Sequence, residues 1–190
     1  MKNKATEAIE PYLEADEVLI WAGQPKKGIV FESSDIVKTI YVIGLFAFTY
    51  FATKLLSEIS IFIAIPIGII FYSGCILLGL GRFFIDAELR KKTFYGLTNK
   101  RIIIKTGTFP KKFKTVYLNS KPKIEFLPNF DDTSTIDLGI KGPTIAGKGG
   151  LGWVPNINSY TSLYRLTDGN FVHQKIREML ELVEKNNTQQ

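Results

Sequence analysis

The run "ISIFIAIPIGIIFYSGCILLGL", from Ile59 to Leu80, carries 22 residues without a charge. As a helix it is about 33 Å long, enough to cross a hydrocarbon core of about 30 Å. Pro66 would break a helix in water, but a membrane helix tolerates it when neighbours satisfy the freed carbonyl. This segment therefore predicts a transmembrane helix. The stretch before it, "IVKTIYVIGLFAFTYFATKLL", holds a shorter uncharged run of 15 residues, Thr39 to Thr53. Lys38 and Lys54 bracket that run and are candidate interface anchors, since a lysine stem can lie along lipid while its ammonium reaches the headgroups. With those turns included, Ile36 to Leu56 reads as a second span; a buried or interfacial helix is the alternative. Only "SEIS" separates the two, so they are expected to be antiparallel neighbours.

Orientation follows from basic residues close to the spans. Lys26, Lys27 and Lys38 lie on the N-terminal flank of the first span, Arg82, Arg90, Lys91 and Lys92 follow the second, and only Lys54 stands near the turn between them. Both termini are expected in the cytoplasm, in a multi-pass protein of the cytoplasmic membrane. The opening "MKNKATEAIEPYLEADE" is polar and acidic and lacks an apolar signal-peptide core, so no signal peptide is expected. Neither span carries an ionisable group at mid-depth, which argues against a transporter or channel. A single cysteine, Cys75, rules out an intramolecular disulfide and a cysteine-based zinc site.

Beyond Gly81 the periodicity changes. "RFFIDAELRKK" can prolong the second span, and "TFYGLTNKRIIIKTG" reads as two strands turning at Thr98 and Asn99. "KKFKTVYL", "PKIEFLP", "TSTIDLGI" and "YTSLYRL" read as further strands. The last segment, "TDGNFVHQKIREMLELVEKNN", spaces Val172, Ile176, Met179, Leu180 and Val183 as one helix face, with Thr167 or Asp168 as N-cap. Strands followed by a helix indicate an α+β domain or a barrel plugged by its helix. The division expected is an N-terminal cytoplasmic segment 1–35, a hairpin 36–81 and a cytoplasmic domain 82–190.

"YGLTNKRIIIKTG", Tyr95 to Gly107, resembles the strand-turn-strand signature of bacterial pleckstrin-homology-like (PH-like) domains. "EVLIWAGQP" ahead of the hairpin, "GRFFIDAELRKKTFYGLTN" after it and the closing amphipathic helix are similar to membrane-anchored members of that family. The resemblance implies an α+β fold: a two-helix transmembrane hairpin, then a bent β-barrel of about seven strands capped by the C-terminal helix. It implies no known activity, and some members are thought to oligomerise or bind partners. Eukaryotic PH domains bind phosphoinositides through a long basic loop between their first two strands. Taking "TNKR" as that connection, it is too short to carry such specificity.

The glycine-rich "GPTIAGKGGLGW" fits G-x-x-x-x-G-K at Gly142, Gly147 and Lys148. A phosphate loop needs a Ser or Thr after the lysine and a helix beyond it. Here Gly149 follows, and "GGLGWVPNINSY" cannot propagate a helix. A connecting loop over Gly142 to Gly152 is expected. Trp153 and Trp21 are candidate membrane-interface anchors, since indole favours the headgroup region. The lone histidine, His173, and the pair Asp131 and Asp132 suit structural or solvated roles. With no nucleophile elbow, paired acids or cofactor fingerprint, neither an enzyme nor a cofactor or metal site is expected.

Charge is the remaining signal. From Arg82 onward there are eighteen Lys and Arg against ten Asp and Glu. Arg90, Lys91, Lys92, Lys100, Arg101, Lys111, Lys112, Lys114 and Lys148 are candidates for contact with anionic lipid or a partner. They also satisfy the positive-inside rule and solubility. Nucleic acid is not an expected partner, because no recognition helix or arginine-rich arm accompanies the charge. The reading is a membrane-anchored binding or scaffolding module that associates with proteins or with itself. Alternatives are an anionic-headgroup sensor and an accessory subunit of a membrane transport system.

Overall fold

The computed structural model describes residues 3–31, 33–107, 112–139 and 162–188. The chain falls into two compact units: Gly28–Ala87 holds the hairpin, and the described residues up to Lys27 and from Glu88 onward form the other.

In the hairpin unit, α2 (Ser33–Ile59) and α3 (Ile61–Ile76) are separated by Ser60 alone. A π-turn over Leu77–Gly81 then leads into α4 (Arg82–Lys91). Pro66 sits inside α3. The helices are antiparallel, because partners on α2 move backward as those on α3 and α4 move forward. A Cβ at Gly68 would lie 3.2 Å from Thr53, Thr49 lies 3.8 Å from Cys75, and Phe46 tilts against Tyr72. At the base Arg82 pairs with Asp35 at 3.1 Å. Asp35–Ile59 and Ile61–Lys91 are long and apolar enough to cross a membrane, with mean hydropathy of 1.6 and 2.5. Only 11% and 17% of their most apolar windows is buried. A soluble core helix would be mostly covered; this hairpin leaves its apolar surface outside the protein.

The second unit is built on two antiparallel sheets. One has the order β1-β2-β3-β4, with β1 (Leu19–Gly23), β2 (Phe94–Thr98), β3 (Arg101–Thr106) and β4 (Lys112–Tyr117). The other has the order β5-β6-β7, with β5 (Glu125–Pro128), β6 (Ser134–Asp137) and β7 (Ser162–Leu166). The α5 helix (Gly169–Thr188) follows. Both sheets and the helix share one core. Tyr95, Leu97, Ile102, Ile104 and Val116 meet Ile136, Leu138, Leu163 and Leu166, and Val172 and Ile176 of α5 close over them. Hydrogen bonds also join the sheets. Tyr164 N donates to the Tyr95 hydroxyl at 3.2 Å, and Lys26 N donates to Arg165 O at 2.9 Å.

Two features differ from the sequence reading. The segment 1–35 is not separate, because its residues up to Lys27 fold with the β unit. The α1 helix (Lys4–Ile9) lies on the outer face of the four-stranded sheet, burying Ala5 and Ile9. Gly96 on β2 permits this approach, since a Cβ there would come within 2.7 Å of Ile9. The second difference is β1 itself, which precedes the hairpin and pairs with β2 from Leu19↔Thr98 to Gly23↔Tyr95. "TNKR" therefore joins the second strand to the third. The connection between the first two strands contains the entire hairpin.

Candidate functional site

The register of β1 and β2 fixes where the hairpin leaves the sheet. Gly23 ends β1 opposite Tyr95 at the start of β2. Beyond that pair, Gln24 Nε2 donates to the Lys91 carbonyl at 3.2 Å. Both connections to the hairpin thus depart from one end of the sheet. β3 ends and β4 begins at this same end, as Phe94↔Lys105 and Lys105↔Phe113 require. The Asn99–Lys100 turn lies at the other end, about 14 Å away along β2 at 3.4 Å per residue.

That geometry sorts the basic candidates. Arg101 is buried, 7% exposed, and is taken by the N-terminal arm. Its Nε and Nη2 donate to the two Glu17 carboxylate oxygens at 2.7 and 2.8 Å, a forked pair. Nη1 meets Glu14 at 3.0 Å, and Nη2 also donates to the Tyr12 carbonyl at 3.2 Å. Thr98 adds its hydroxyl to Glu17 at 2.8 Å. Burial raises the Glu17 carboxyl, but these bonds outweigh it and hold the group at about 2. The same carboxylates hold the Arg101 guanidinium above its ordinary value. Lys100 at the turn pairs with Asp16. These two candidates for lipid or partner contact thus fasten the arm at the Asn99–Lys100 end of the sheet. Arg90 is also buried, at 4% exposed.

Lys91 and Lys92 are exposed at the hairpin end and share Glu88, at 3.5 and 3.0 Å. Lys114 is half-buried on β4, and burial lowers its ammonium. Lys112 begins β4 at the hairpin end. Lys111, Lys148, Trp153 and the Gly142 to Gly152 stretch lie outside the described residues. Lys38 pairs with Asp35 at 3.4 Å, and Lys54 is exposed on α2. Trp21 is a strand residue packed on the core, donating Nε1 to Asp168 at 2.7 Å. That placement accounts for its indole without a membrane contact. His173 tilts on Phe126, and burial followed by Arg177 lowers its imidazole.

One group went unnoticed in the sequence. The β5–β6 turn carries Asp131, which accepts from Thr133 at 2.6 Å, from Lys26 Nζ at 3.2 Å and from Arg165 at 2.7 Å. Desolvation raises the Asp131 carboxyl, but these partners hold it at about 2. Arg165 reaches it from a left-handed conformation, φ 47°, where the β6–β7 register shifts. Such a bulge re-aims a side chain at a local conformational cost. Beside Asp131, Phe130 is fully exposed at 102%. The signal was an aromatic placed within an Asn/Asp turn, where polar residues are the rule. Among the described residues no group of three or more His, Cys, Asp and Glu is placed to hold a metal.

Comparison with family models, curated proteins and solved structures found no match for this chain.

Proposed function

We propose that the chain is a membrane-anchored PH-like module, held at the cytoplasmic face by its hairpin and associating with proteins or with itself. Four plus three antiparallel strands around one core, with α5 closing it, support a bent-barrel arrangement. The hairpin departing from one end of the β1–β2 pair supports an even number of crossings, because Gly23 and Tyr95 are Cα partners on one side. The flanking Lys26, Lys27, Lys91 and Lys92 support placing that side in the cytoplasm.

The observation that carries association is the β4 margin of the four-stranded sheet. Phe113 and Tyr117 are 43% and 53% exposed there, and Tyr12 stacks on Phe113 with centroids 4.9 Å apart. Exposed aromatics beside a sheet margin are material for an interface. The headgroup-sensor alternative loses Arg101 and Arg90 to burial and Lys100 to Asp16. The basic residues left at the hairpin end suit general attraction to anionic lipid.

The test is cross-linking of the full chain in vesicles, at low and high salt, with wild type and Phe113→Ser/Tyr117→Ser. Cross-linked oligomers that persist in high salt and disappear in the variant support self-association through β4. Monomers throughout, with partner capture unchanged by the variant, would remove β4 from the account.

A further inference from the structure

We propose that the β5–β6 turn, with Phe130 at its tip, inserts shallowly into the headgroup–acyl boundary of the bilayer that the hairpin crosses. The proposal rests on the membrane reading given above. Three observations carry it.

First, the turn is tied to the chain just before the hairpin. Lys26 bonds it twice, Nζ to the Asp131 carbonyl and Nζ to the Asp131 carboxylate, each at 3.2 Å. Its amide is bound to Arg165 at 2.9 Å, so position 26 is fixed on this corner of the β unit. The α2 helix begins at Ser33, seven residues later. Even fully extended, that link reaches no more than about 25 Å. The turn is therefore joined to the start of α2 by a short tether of chain.

Second, the turn is rigid. Asn129 N donates to the Thr133 carbonyl at 2.9 Å, and Asn129 Nδ2 donates to Thr133 and Thr135 at 3.1 and 3.2 Å. Asp131 is held by Thr133, Lys26 and Arg165. A side chain projected from such a turn is ordered before it meets a ligand, so little conformational freedom is lost on contact.

Third, the projected group is apolar. Phe130 is wholly exposed, and Leu127 and Pro128 beside it are exposed too. Asp132, exposed on the same turn, prefers water and keeps the insertion shallow. Lys27, also exposed, lies one residue past the Lys26 tie and suits the anionic headgroups around it. An aromatic tip with charged shoulders matches the bilayer boundary, where one end of a group is apolar and the other wet.

The test uses the full chain, with Cys75→Ala as background, in phosphatidylcholine–phosphatidylglycerol vesicles containing nitroxide-labelled lipid. A polarity-sensitive fluorophore is placed singly at Phe130→Cys, at Ile70→Cys within the hairpin, and at Ser120→Cys in the turn after β4. Because Phe130 has no packing to lose, its replacement leaves folding intact. The expected result is strong quenching at Ile70, quenching by shallow nitroxides with a blue-shifted emission at Phe130, and neither at Ser120. Quenching at Ile70 without quenching at Phe130 overturns the proposal and leaves the membrane reading standing. A Phe130 label shielded from aqueous iodide yet insensitive to nitroxide lipid also overturns it, in favour of a protein contact. Absence of quenching at Ile70 would defeat the membrane reading itself.

Discussion

Replacing Arg101 by Gln should release the N-terminal arm while leaving the central core folded. The structure sets the size of the effect. The substitution removes the fork to Glu17, the contact to Glu14 and the bond to the Tyr12 carbonyl. The Glu17 carboxylate stays behind with no side-chain exposure, holding only the Thr98 hydroxyl and the Glu14 amide. Breaking a buried pair in this way costs about 3–5 kcal/mol. The lowering of the Glu17 carboxyl from 4.5 to about 2 leads to a similar figure. Each tenfold change in proton affinity is worth about 1.4 kcal/mol, so the whole drop amounts to about 3 kcal/mol. At about 1.4 kcal/mol per tenfold, amide exchange in residues 4–12 should accelerate about 100-fold. Mass-resolved hydrogen exchange on the full chain in vesicles measures this, with peptides from β6 and α5 as internal references. Glu17→Gln combined with Arg101→Gln should cost clearly less than the two singles added, because the stranded charge is gone. Unchanged exchange in the arm, or strict additivity in the cycle, would refute the argument that this pair fastens it.

Three further outcomes follow from the same structure. Gly96→Val should push Ile9 off the sheet, destabilising the arm by about 1–3 kcal/mol, read by exchange in the same peptide. Ile176→Ala should cost about 2–5 kcal/mol in thermal unfolding, because Ile176 is fully buried between α5 and both sheets. Acid should loosen the unit in a defined window. Glu17 and Asp131 are both depressed on folding, so their contributions are complete above about pH 4.5 and fade as pH falls toward about 2. Near-UV circular dichroism and tryptophan emission across that range measure it. Glu17→Gln should reduce the dependence, and a protein equally stable at pH 2 and pH 6 would contradict the assignment.

The parts of this fold legible in the sequence were those with long or regular patterns. Two apolar runs, the six strands described from Phe94 onward and the Val172–Ile176 stripe all announce themselves through length or periodicity. The β1 strand did not, because "LIWAG" is five residues without alternation and its partner lies beyond the hairpin. Missing it misplaced "TNKR" in the strand count and hid the packing of Trp21 on the core. The α1 helix was masked by its charges, although Ala5 and Ile9 stand at i, i+4, the spacing that puts them on one face. Basic residues were legible as a population and not as individuals. Nothing local distinguishes Arg101, gripped by Glu17 eighty-four positions earlier, from Lys91 on the surface. The Lys26–Asp131–Arg165 cluster was hidden for the same reason, since its members meet only after both sheets have formed.

Cysteine accessibility across the membrane tests the central claim most directly. In the Cys75→Ala background, single cysteines are placed at Glu58, beside the turn between α2 and α3, and at Ser120 in the β unit. Intact cells are treated with a membrane-impermeant maleimide before and after permeabilisation. The account predicts labelling at 58 from outside and labelling at 120 only after permeabilisation. If both positions label from the same side, the hairpin does not cross and the cytoplasmic-module account is contradicted.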